Sequence, residues 1–247
     1  MRRLSAWEDG FVTEPASPGT EGRTAPPTRI RLTGRALSEA VARAPWLWPL
    51  LKLPTRRFFD NSAPGWDERT RAGSAEHLAA LAAGLMHVTP QPERAIDIGT
   101  GTGEGALLLA REFPRASVRG VDLSPEMIRA AKSKVGLDPE GRIAFKVADA
   151  AALPWPDDSF DLVAQLNMPV FFAEITRVLR PGGQVVVASS WGDATPFHTP
   201  APVLRRGFAK HDVAEHLAGA AGDGIYWHGR LTHDGDGDKD KPRSPRQ

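Results

Sequence analysis

Short apolar runs alternate with amphipathic stretches from about residue 94 to residue 190. The apolar runs have the length of strands, and three consecutive valines in the last run suit a strand covered on both faces. The stretches between them carry apolar residues at helical spacing. The pattern predicts strands at residues 95–98, 118–122, 143–147, 160–166 and 184–189, and helices at residues 103–113, 124–131 and 171–179.

This alternation of strands and helices predicts an α/β fold, because parallel strands are joined by helical crossovers of right-handed sense. We expect a doubly wound, mostly parallel, Rossmann-like sheet. A further helix is predicted at residues 203–210. Apolar segments at residues 213–217 and 225–231 flank a turn-rich stretch. A closing antiparallel hairpin there would bring the sheet to seven strands.

The two ends of the chain differ in composition from the rest. Residues 1–27 are rich in proline, glycine and charged residues, and residues 233–247 alternate aspartate with glycine before turning basic. Such segments bury too little apolar surface to offset their ordering entropy, so both are predicted to be disordered tails. Between them we expect an N-terminal helical cap at residues 28–66 and one larger domain at residues 67–232.

Within the predicted cap, residues 46–53 form a strongly apolar run. Pro45 and Pro49 interrupt the helical spacing around it, so one long helix is not expected. The run is shorter than the roughly 18 residues that span a bilayer. Two interpretations stay open: a cap helix that packs over the domain, and an apolar substrate wall or interfacial membrane contact.

Composition excludes several classes of function. The formal net charge is +1, so overall charge selects neither nucleic acid nor anionic lipid as a partner, and no nucleic-acid partner is expected. The chain has no cysteine, which excludes disulfides, thiolate metal sites and a thiol nucleophile, and which fits a reducing compartment. We therefore predict a cytoplasmic protein without a metal site or a transmembrane segment, and a peripheral membrane contact stays open.

A glycine-rich loop at residues 97–103 follows the first predicted strand. Glycines allow a tight turn and a close approach of a ligand to the backbone, and the next helix offers free N–H groups. A dinucleotide fingerprint has the spacing Gly-x-Gly-x-x-Gly. Counted from Gly99, its third glycine would fall on Glu104, whereas the observed glycines are Gly99, Gly101 and Gly103. The spacing argues against a nicotinamide dinucleotide and a Rossmann oxidoreductase.

Two acids follow the next strands. Asp122 ends the second strand, where a carboxylate can accept hydrogen bonds from two ribose hydroxyls. The alternative, that Asp122 caps the following helix, is weaker because Ser124 already supplies a cap. Asp149 follows the third strand, where it could accept a hydrogen bond from an exocyclic amine or serve as a turn residue.

In order along the chain, these blocks resemble the class I S-adenosylmethionine-dependent methyltransferases, and within them the quinone and small-molecule methyltransferase branch. The resemblance covers about residues 94–190. The blocks that carry it are residues 97–103, 121–127, 149–161 and 177–183.

The resemblance implies S-adenosylmethionine as the cofactor, with its aminoacyl end on the glycine loop and its ribose on Asp122. It implies that Asp149 and Ala150 bind the adenine edge, that Leu123 and Met127 flank the ring, and that residues 58–67 close over the methionine end. The full set of predicted cofactor-binding residues is Asp97, Gly99, Thr100, Gly101, Gly103, Asp122, Leu123, Met127, Asp149 and Ala150.

The expected function is methyl transfer to a small-molecule acceptor, which is apolar or amphipathic if residues 46–53 line its entrance. The alternative is a module that binds S-adenosylmethionine or a nucleotide without catalysis. A sulfonium methyl group is already activated, so a general base is needed only if the acceptor loses a proton. His198 and His211 could serve, but neither is assigned as a base. Residues 167–170 lead almost directly into a helix, whereas the family often has a longer loop with a histidine there.

Overall fold

A computed structural model describes residues 26–136, 138 and 141–232 of the protein. Residues 1–25 and 233–247, which make up nearly all of the two predicted tails, lie outside the described residues. The helices of the described part are α1 (Thr28–Arg43), α2 (Trp48–Ser62), α3 (Trp66–Thr70), α4 (Ala75–Leu85), α5 (Glu104–Glu112), α6 (Pro125–Lys134), α7 (Phe172–Val178) and α8 (Ala201–Ala209). The strands are β1 (Arg94–Ile98), β2 (Ser117–Asp122), β3 (Ile143–Val147), β4 (Phe160–Leu166), β5 (Leu179–Ser189), β6 (Val213–Ala221) and β7 (Gly224–Leu231).

The strands form one seven-stranded sheet in the order β3-β2-β1-β4-β5-β7-β6. Strands β1 to β5 pair in parallel, and β7 lies antiparallel between β5 and β6. The predicted fold, a mostly parallel sheet that ends in an antiparallel hairpin, is therefore confirmed. The strand order reverses direction between β1 and β4, which is where open sheets of this kind bind their ligands.

The core lies on both faces of the sheet because strand neighbours point to opposite sides. Ile96 and Ile98 of β1 belong to a cluster with helices α7 and α8. Ala95, on the opposite side of the same strand, belongs to the other cluster, with helices α4 and α5. The central strands are thus apolar on both sides, as consecutive valines in β5 indicated.

Helices α1 and α2 are separate, as the prolines predict. Helix α1 ends at Arg43, and a short 3-10 turn over Pro45–Leu47 connects it to α2. Pro49 does not break α2, because it stands in the first turn, where its missing N–H has no partner to lose. The domain boundaries proposed from the sequence stay a proposal.

Strand β5 and the last hairpin extend beyond their predicted bounds, and one helix, α4, was not predicted. Strand β5 begins at Leu179 rather than residue 184, since Leu179 pairs with Phe160 before a register shift. The last hairpin has a tighter turn than predicted, with Gly222 at φ +55 next to the last paired residues. Helix α4 was not predicted, although Ser74 caps it through the backbone N–H of His77 and Leu78, Leu81 and Leu85 follow at helical spacing.

No helix in the described part of the chain is both long and apolar enough to cross a membrane. The location in the cytoplasm stays a prediction.

Candidate functional site

A cleft opens at the carboxyl ends of β1, β2 and β4, with a volume of about 1060 Å³ that includes space open to solvent. The loops after these strands form its base, and helices α1 and α2 form its opposite wall. Most of the residues predicted to bind the cofactor line this cleft: Asp97, Gly99, Thr100, Gly101, Asp122, Leu123, Met127 and Ala150. Gly103 and Asp149 are not among its lining residues.

The glycine loop turns through backbone angles that favour glycine. Gly99 has φ +71, Gly101 φ +53 and Gly103 φ +94. A side chain added to Gly101 would meet no atom within 4 Å, so the backbone is open to the cleft at that point. At Gly103 an added Cβ would lie 2.9 Å from the ring of Phe145. Gly101 thus leaves room for a ligand, and Gly103 allows the loop to pack.

Asp97 lies at the end of β1 and is buried. Its Oδ2 accepts a hydrogen bond from the Thr100 hydroxyl at 2.6 Å. A Cβ on Gly105 would lie 2.5 Å from the same oxygen, so α5 approaches this carboxylate closely. Burial raises the pKa of Asp97 to about 7, and the Thr100 hydrogen bond opposes that increase.

Asp122 ties the loops after β1 and β2 together. Its Oδ2 accepts a hydrogen bond from the Gly101 N–H at 3.0 Å, and its Oδ1 accepts one from the Ser124 N–H at 2.8 Å. Burial raises the pKa of Asp122 to about 6, although these backbone hydrogen bonds lower it. Each carboxylate oxygen has a second lone pair, so both remain able to accept a bond from a ligand in the cleft.

Asp149 is bound by helix α2. Its Oδ1 accepts a hydrogen bond from Trp48 Nε1 at 2.8 Å, and its Oδ2 lies 2.7 Å from Lys52 Nζ. The sequence did not indicate these contacts. The role of Asp149 at an adenine edge stays a prediction, and a ligand there would share the carboxylate with α2 or displace the helix.

Two further carboxylates attach helices α2 and α3 to the loops that form the base of the cleft. Asp60 of α2 accepts a hydrogen bond from the Ser124 hydroxyl at 2.6 Å. Asp67 of α3 accepts one from the Thr102 hydroxyl at 2.5 Å and lies 2.5 Å from Lys134 Nζ. Helices α2 and α3 therefore contact the loops after β1, β2 and β3 through side chains.

His77 of α4 is the histidine that the described residues bring to the cleft lining, and it is not among the residues predicted from the sequence. Asn167 accepts a hydrogen bond from the Ser190 N–H through Oδ1. Its Nδ2 donates to Ser190 Oγ at 2.9 Å and lies 3.4 Å from His77 Nε2. The cap at Ser74 and the apolar spacing behind it could have placed His77 on a helix. His198 and His211 do not line the cleft.

Among lysine, arginine, aspartate and glutamate, only the acidic residues line the cleft in the described chain. Three carboxylates belong to its lining, those of Asp97, Glu104 and Asp122, and no lysine or arginine of the described chain does. Glu104 is paired with Lys134 at 2.7 Å. A pyrophosphate would meet like charge in this lining, whereas a sulfonium or an ammonium group would be attracted. The residues present therefore fit a cationic cofactor better than a dinucleotide.

The wall opposite the glycine loop is apolar. Phe59 of α2 lies between the rings of Trp66 and Phe197, with centroid distances of 5.8 Å to each. Leu37 and Phe171 also line the cleft, and Met168 lies against Gly99 of the glycine loop. An apolar part of a second ligand can pack here without leaving polar groups unpaired.

Comparisons with known proteins agree with this geometry. Residues 95–183 match a family model described as a methyltransferase domain. The chain is 35% identical over 188 residues to a ubiquinone/menaquinone biosynthesis C-methyltransferase of Syntrophotalea carbinolica, covering 69% of this chain and 73% of the relative. It is also 35% identical over 164 residues to a malonyl-[acyl-carrier protein] O-methyltransferase of Methylococcus capsulatus, covering 61% of this chain and 58% of that relative.

Among solved structures, a Haloferax volcanii methyltransferase in complex with the Trm112 methyltransferase activator superposes with a TM-score of 0.58 at 20% identity. That comparison covers 71% of this chain and 98% of the other. At this identity it shows a shared fold. The chain spans less than two thirds of the Methylococcus relative, so the substrates of the relatives are not transferred with the fold.

Proposed function

Because the chain belongs to the class I S-adenosylmethionine-dependent methyltransferases, we propose that it methylates an apolar or amphipathic small molecule in the cleft between the glycine loop and helix α2. The observation that supports this is the division of the cleft into an acidic base and an apolar wall. The base suits the cationic cofactor, and the wall suits the acceptor.

S-adenosylmethionine supplies, when bound, a methyl group on a positively charged sulfur that is already activated toward nucleophiles. We assign its aminoacyl part to the glycine loop, where the backbone is open at Gly101, and its ribose to Asp122. Leu123, Met127 and Ala150 provide the apolar surface proposed for the adenine ring. These assignments rest on position in the cleft and on the family resemblance.

The protein's contribution to the reaction is then mainly positioning and exclusion of water. Helix α2 covers the cleft and is attached through Asp60 and through the Trp48 contact with Asp149. The aromatic side chains of Phe59 and Phe197 would hold the acceptor against the methyl group. A general base is needed near the acceptor only if the acceptor must lose a proton.

His77 is the proposed proton acceptor for that case. It lines the cleft, and a neutral imidazole can take a proton from an acceptor hydroxyl.

The test is a methyl-transfer assay with isotopically labelled cofactor and a panel of acceptors. The panel contains phenolic and quinol rings with apolar tails, medium-chain acyl acids, and hydrophilic controls such as amino acids. We expect transfer to members with an apolar part. Phe59→Ala should raise the KM for the acceptor more than it weakens cofactor binding, whereas Leu50→Ala, on the exposed side of α2, should leave both unchanged.

Binding of the cofactor without transfer to any acceptor would instead favour the non-catalytic module. Transfer confined to the hydrophilic controls would contradict the acceptor class. Binding of a nicotinamide dinucleotide in place of S-adenosylmethionine, measured by calorimetry, would contradict the charge argument.

A further inference from the structure

Helix α2, with the 3-10 turn before it, is apolar on two opposite sides. One side faces the cleft with Trp48, Thr55 and Phe59. The other side faces solvent with five large apolar residues, here called the outer stripe: Trp46, Leu47, Leu50, Leu53 and Phe58. A surface helix of a globular protein normally carries one apolar stripe, which faces the core, so a second, exposed stripe is unusual.

The exposure of the outer stripe is large. Trp46 is 73% exposed, Leu50 is 75% exposed and Leu53 is 51% exposed. Trp46, Leu50 and Leu53 recur at the spacing of one helix face. Among the described residues, the other large apolar side chains of comparable exposure are spread singly, for example Met86. A contiguous patch of this kind marks an interaction surface.

The segment that carries the outer stripe is basic. Residues 28–59 contain seven cations and one acid, whereas the whole chain has 31 lysines and arginines against 30 acids. The acid is Glu39, and residues 44–59 contain none. One of the cations, Lys52, pairs with Asp149. Arg43, which pairs with Glu39, and Arg57 are exposed.

We propose that the outer stripe docks on the surface of a bilayer that contains anionic phospholipids. Apolar side chains enter the boundary of the acyl region, tryptophan is favoured at that depth, and arginines contact the acidic headgroups. A second copy of the chain is a poorer occupant, because pairing this face with itself would bring two cation-rich segments together.

Docking would place the cleft close to the membrane. Helix α2 has the cleft on one side and the outer stripe on the other, so about one helix diameter, roughly 10 Å, separates the cleft wall from lipid. An acceptor dissolved in the bilayer would then have a short path to the active site. This consequence rests on the proposed acceptor class, whereas the docking itself does not.

The test is sedimentation of the full chain with vesicles of phosphatidylcholine, with and without phosphatidylglycerol, at low and high salt. We expect binding to the anionic vesicles that weakens with salt. Arg43→Gln with Arg57→Gln should reduce partitioning by roughly thirtyfold, since each surface arginine contributes about fivefold. Leu50→Ala with Leu53→Ala should reduce it by about tenfold or more.

Matched controls separate docking from folding and from catalysis. Met86→Ala removes an equally exposed apolar side chain elsewhere and should bind vesicles as wild type does. Thermal melting and cofactor calorimetry of each variant should match wild type, because none of the substituted residues lines the cleft. If a leucine variant fails to fold, the arginine variant still decides.

Other outcomes overturn the proposal. Absence of vesicle binding overturns it, as does equal binding to neutral and anionic vesicles. A dimer that dissociates in the leucine variant, without vesicle binding, would identify a second copy as the occupant. Vesicle binding that occurs only after deletion of residues 1–25 would identify that segment as the occupant of the outer stripe. Failure of docking with normal methyl transfer in solution would leave the proposed function intact.

Discussion

The loops at the strand ends and the N-terminal helices above them are held in different ways. In the loops, Asp122 accepts hydrogen bonds from the backbone of Gly101 and Ser124, and Asp97 accepts one from Thr100. These partners lie close in sequence or on adjacent strands. Helices α2 and α3 contact the same loops through individual side chains, such as Trp48, which binds Asp149, 101 positions away, and is buried in the core cluster.

This difference distinguishes two parts of the cleft. The loops after the strands form a fixed part, here called the base, and helices α2 and α3 form a removable part, here called the cover. Backbone hydrogen bonds and burial hold the base in one geometry, whereas a few side-chain contacts can be exchanged for contacts with a ligand. The base should therefore dominate cofactor affinity, and the cover should control access.

Asp97→Asn should stabilise the protein without cofactor at neutral and alkaline pH. Because burial raises the pKa of Asp97 to about 7, its ionised form is disfavoured in the folded state. The favourable contribution of the protonated acid is complete below pH 3.8 and is lost as the pH rises through about 7. Above that pH range, the free energy of unfolding of the variant should exceed that of wild type by on the order of 2 to 4 kcal/mol, because a shift of one pKa unit corresponds to about 1.4 kcal/mol.

Chemical denaturation at pH 8 and pH 4 checks this prediction. The gain should disappear at pH 4, where both proteins carry a neutral side chain. Asp97→Ala is the control, because it removes the charge and also the acceptor for Thr100, and it should gain less. A variant that is equally stabilised at both pH values would contradict the assignment.

Asp122→Ala should weaken S-adenosylmethionine binding by about tenfold to several hundredfold. Hydrogen bonds to a charged acceptor contribute roughly 1.5–3 kcal/mol in context, and about 1.4 kcal/mol corresponds to tenfold. Apo stability at neutral pH should change little, since the N–H groups of Gly101 and Ser124 lose their acceptor while a buried carboxylate with a raised pKa is removed. Calorimetry and thermal melting on the same protein separate the two effects.

The pH dependence of cofactor affinity provides a second test of the role of Asp122. Since the pKa of Asp122 is raised to about 6, wild-type affinity should fall as the pH drops below 6, because the protonated acid accepts hydrogen bonds less well. Asp122→Asn should bind with intermediate affinity and without this pH dependence. Unchanged affinity in Asp122→Ala would remove the ribose assignment.

The same division explains what the sequence could predict. The parallel strands, Asp97 and Asp122 follow from patterns within a short window: an apolar run, glycines, and an acid at the strand end. The contact of Trp48 with Asp149 depends on how α2 docks in three dimensions, which no local pattern encodes. His77 was missed because helix α4 was not predicted, although Ser74 and the leucine spacing were visible.

Trp48→Phe should loosen the cover while the base stays intact. The ring contact with Phe171, at a centroid distance of 5.1 Å, can persist, but the hydrogen bond to Asp149 is lost. A bond to a carboxylate contributes roughly 1.5 kcal/mol, so amide exchange in α2 should become about tenfold faster. Amides of β1 and β4 should exchange as in wild type. Trp46→Phe, which loses no described bond, is the control, and equal acceleration in the sheet would show that α2 is part of the core.

Asp67→Asn should have the smallest effect, because its attachment is partly exposed. The Asp67 side chain is 36% exposed, and its partner Lys134 also pairs with Glu104. The amide oxygen can still accept from Thr102, so only the ion pair is lost, at a cost of less than about 1 kcal/mol. For a chain of this size that corresponds to a fall in Tm of about 2–4 °C or less. High salt should abolish the difference from wild type, whereas the effect of Trp48→Phe should persist in salt because that contact is more buried. Glu68→Gln, a neighbouring exposed acid, should leave Tm unchanged. A larger, salt-independent fall for Asp67→Asn would mean that α3 belongs to the fixed base rather than to the cover.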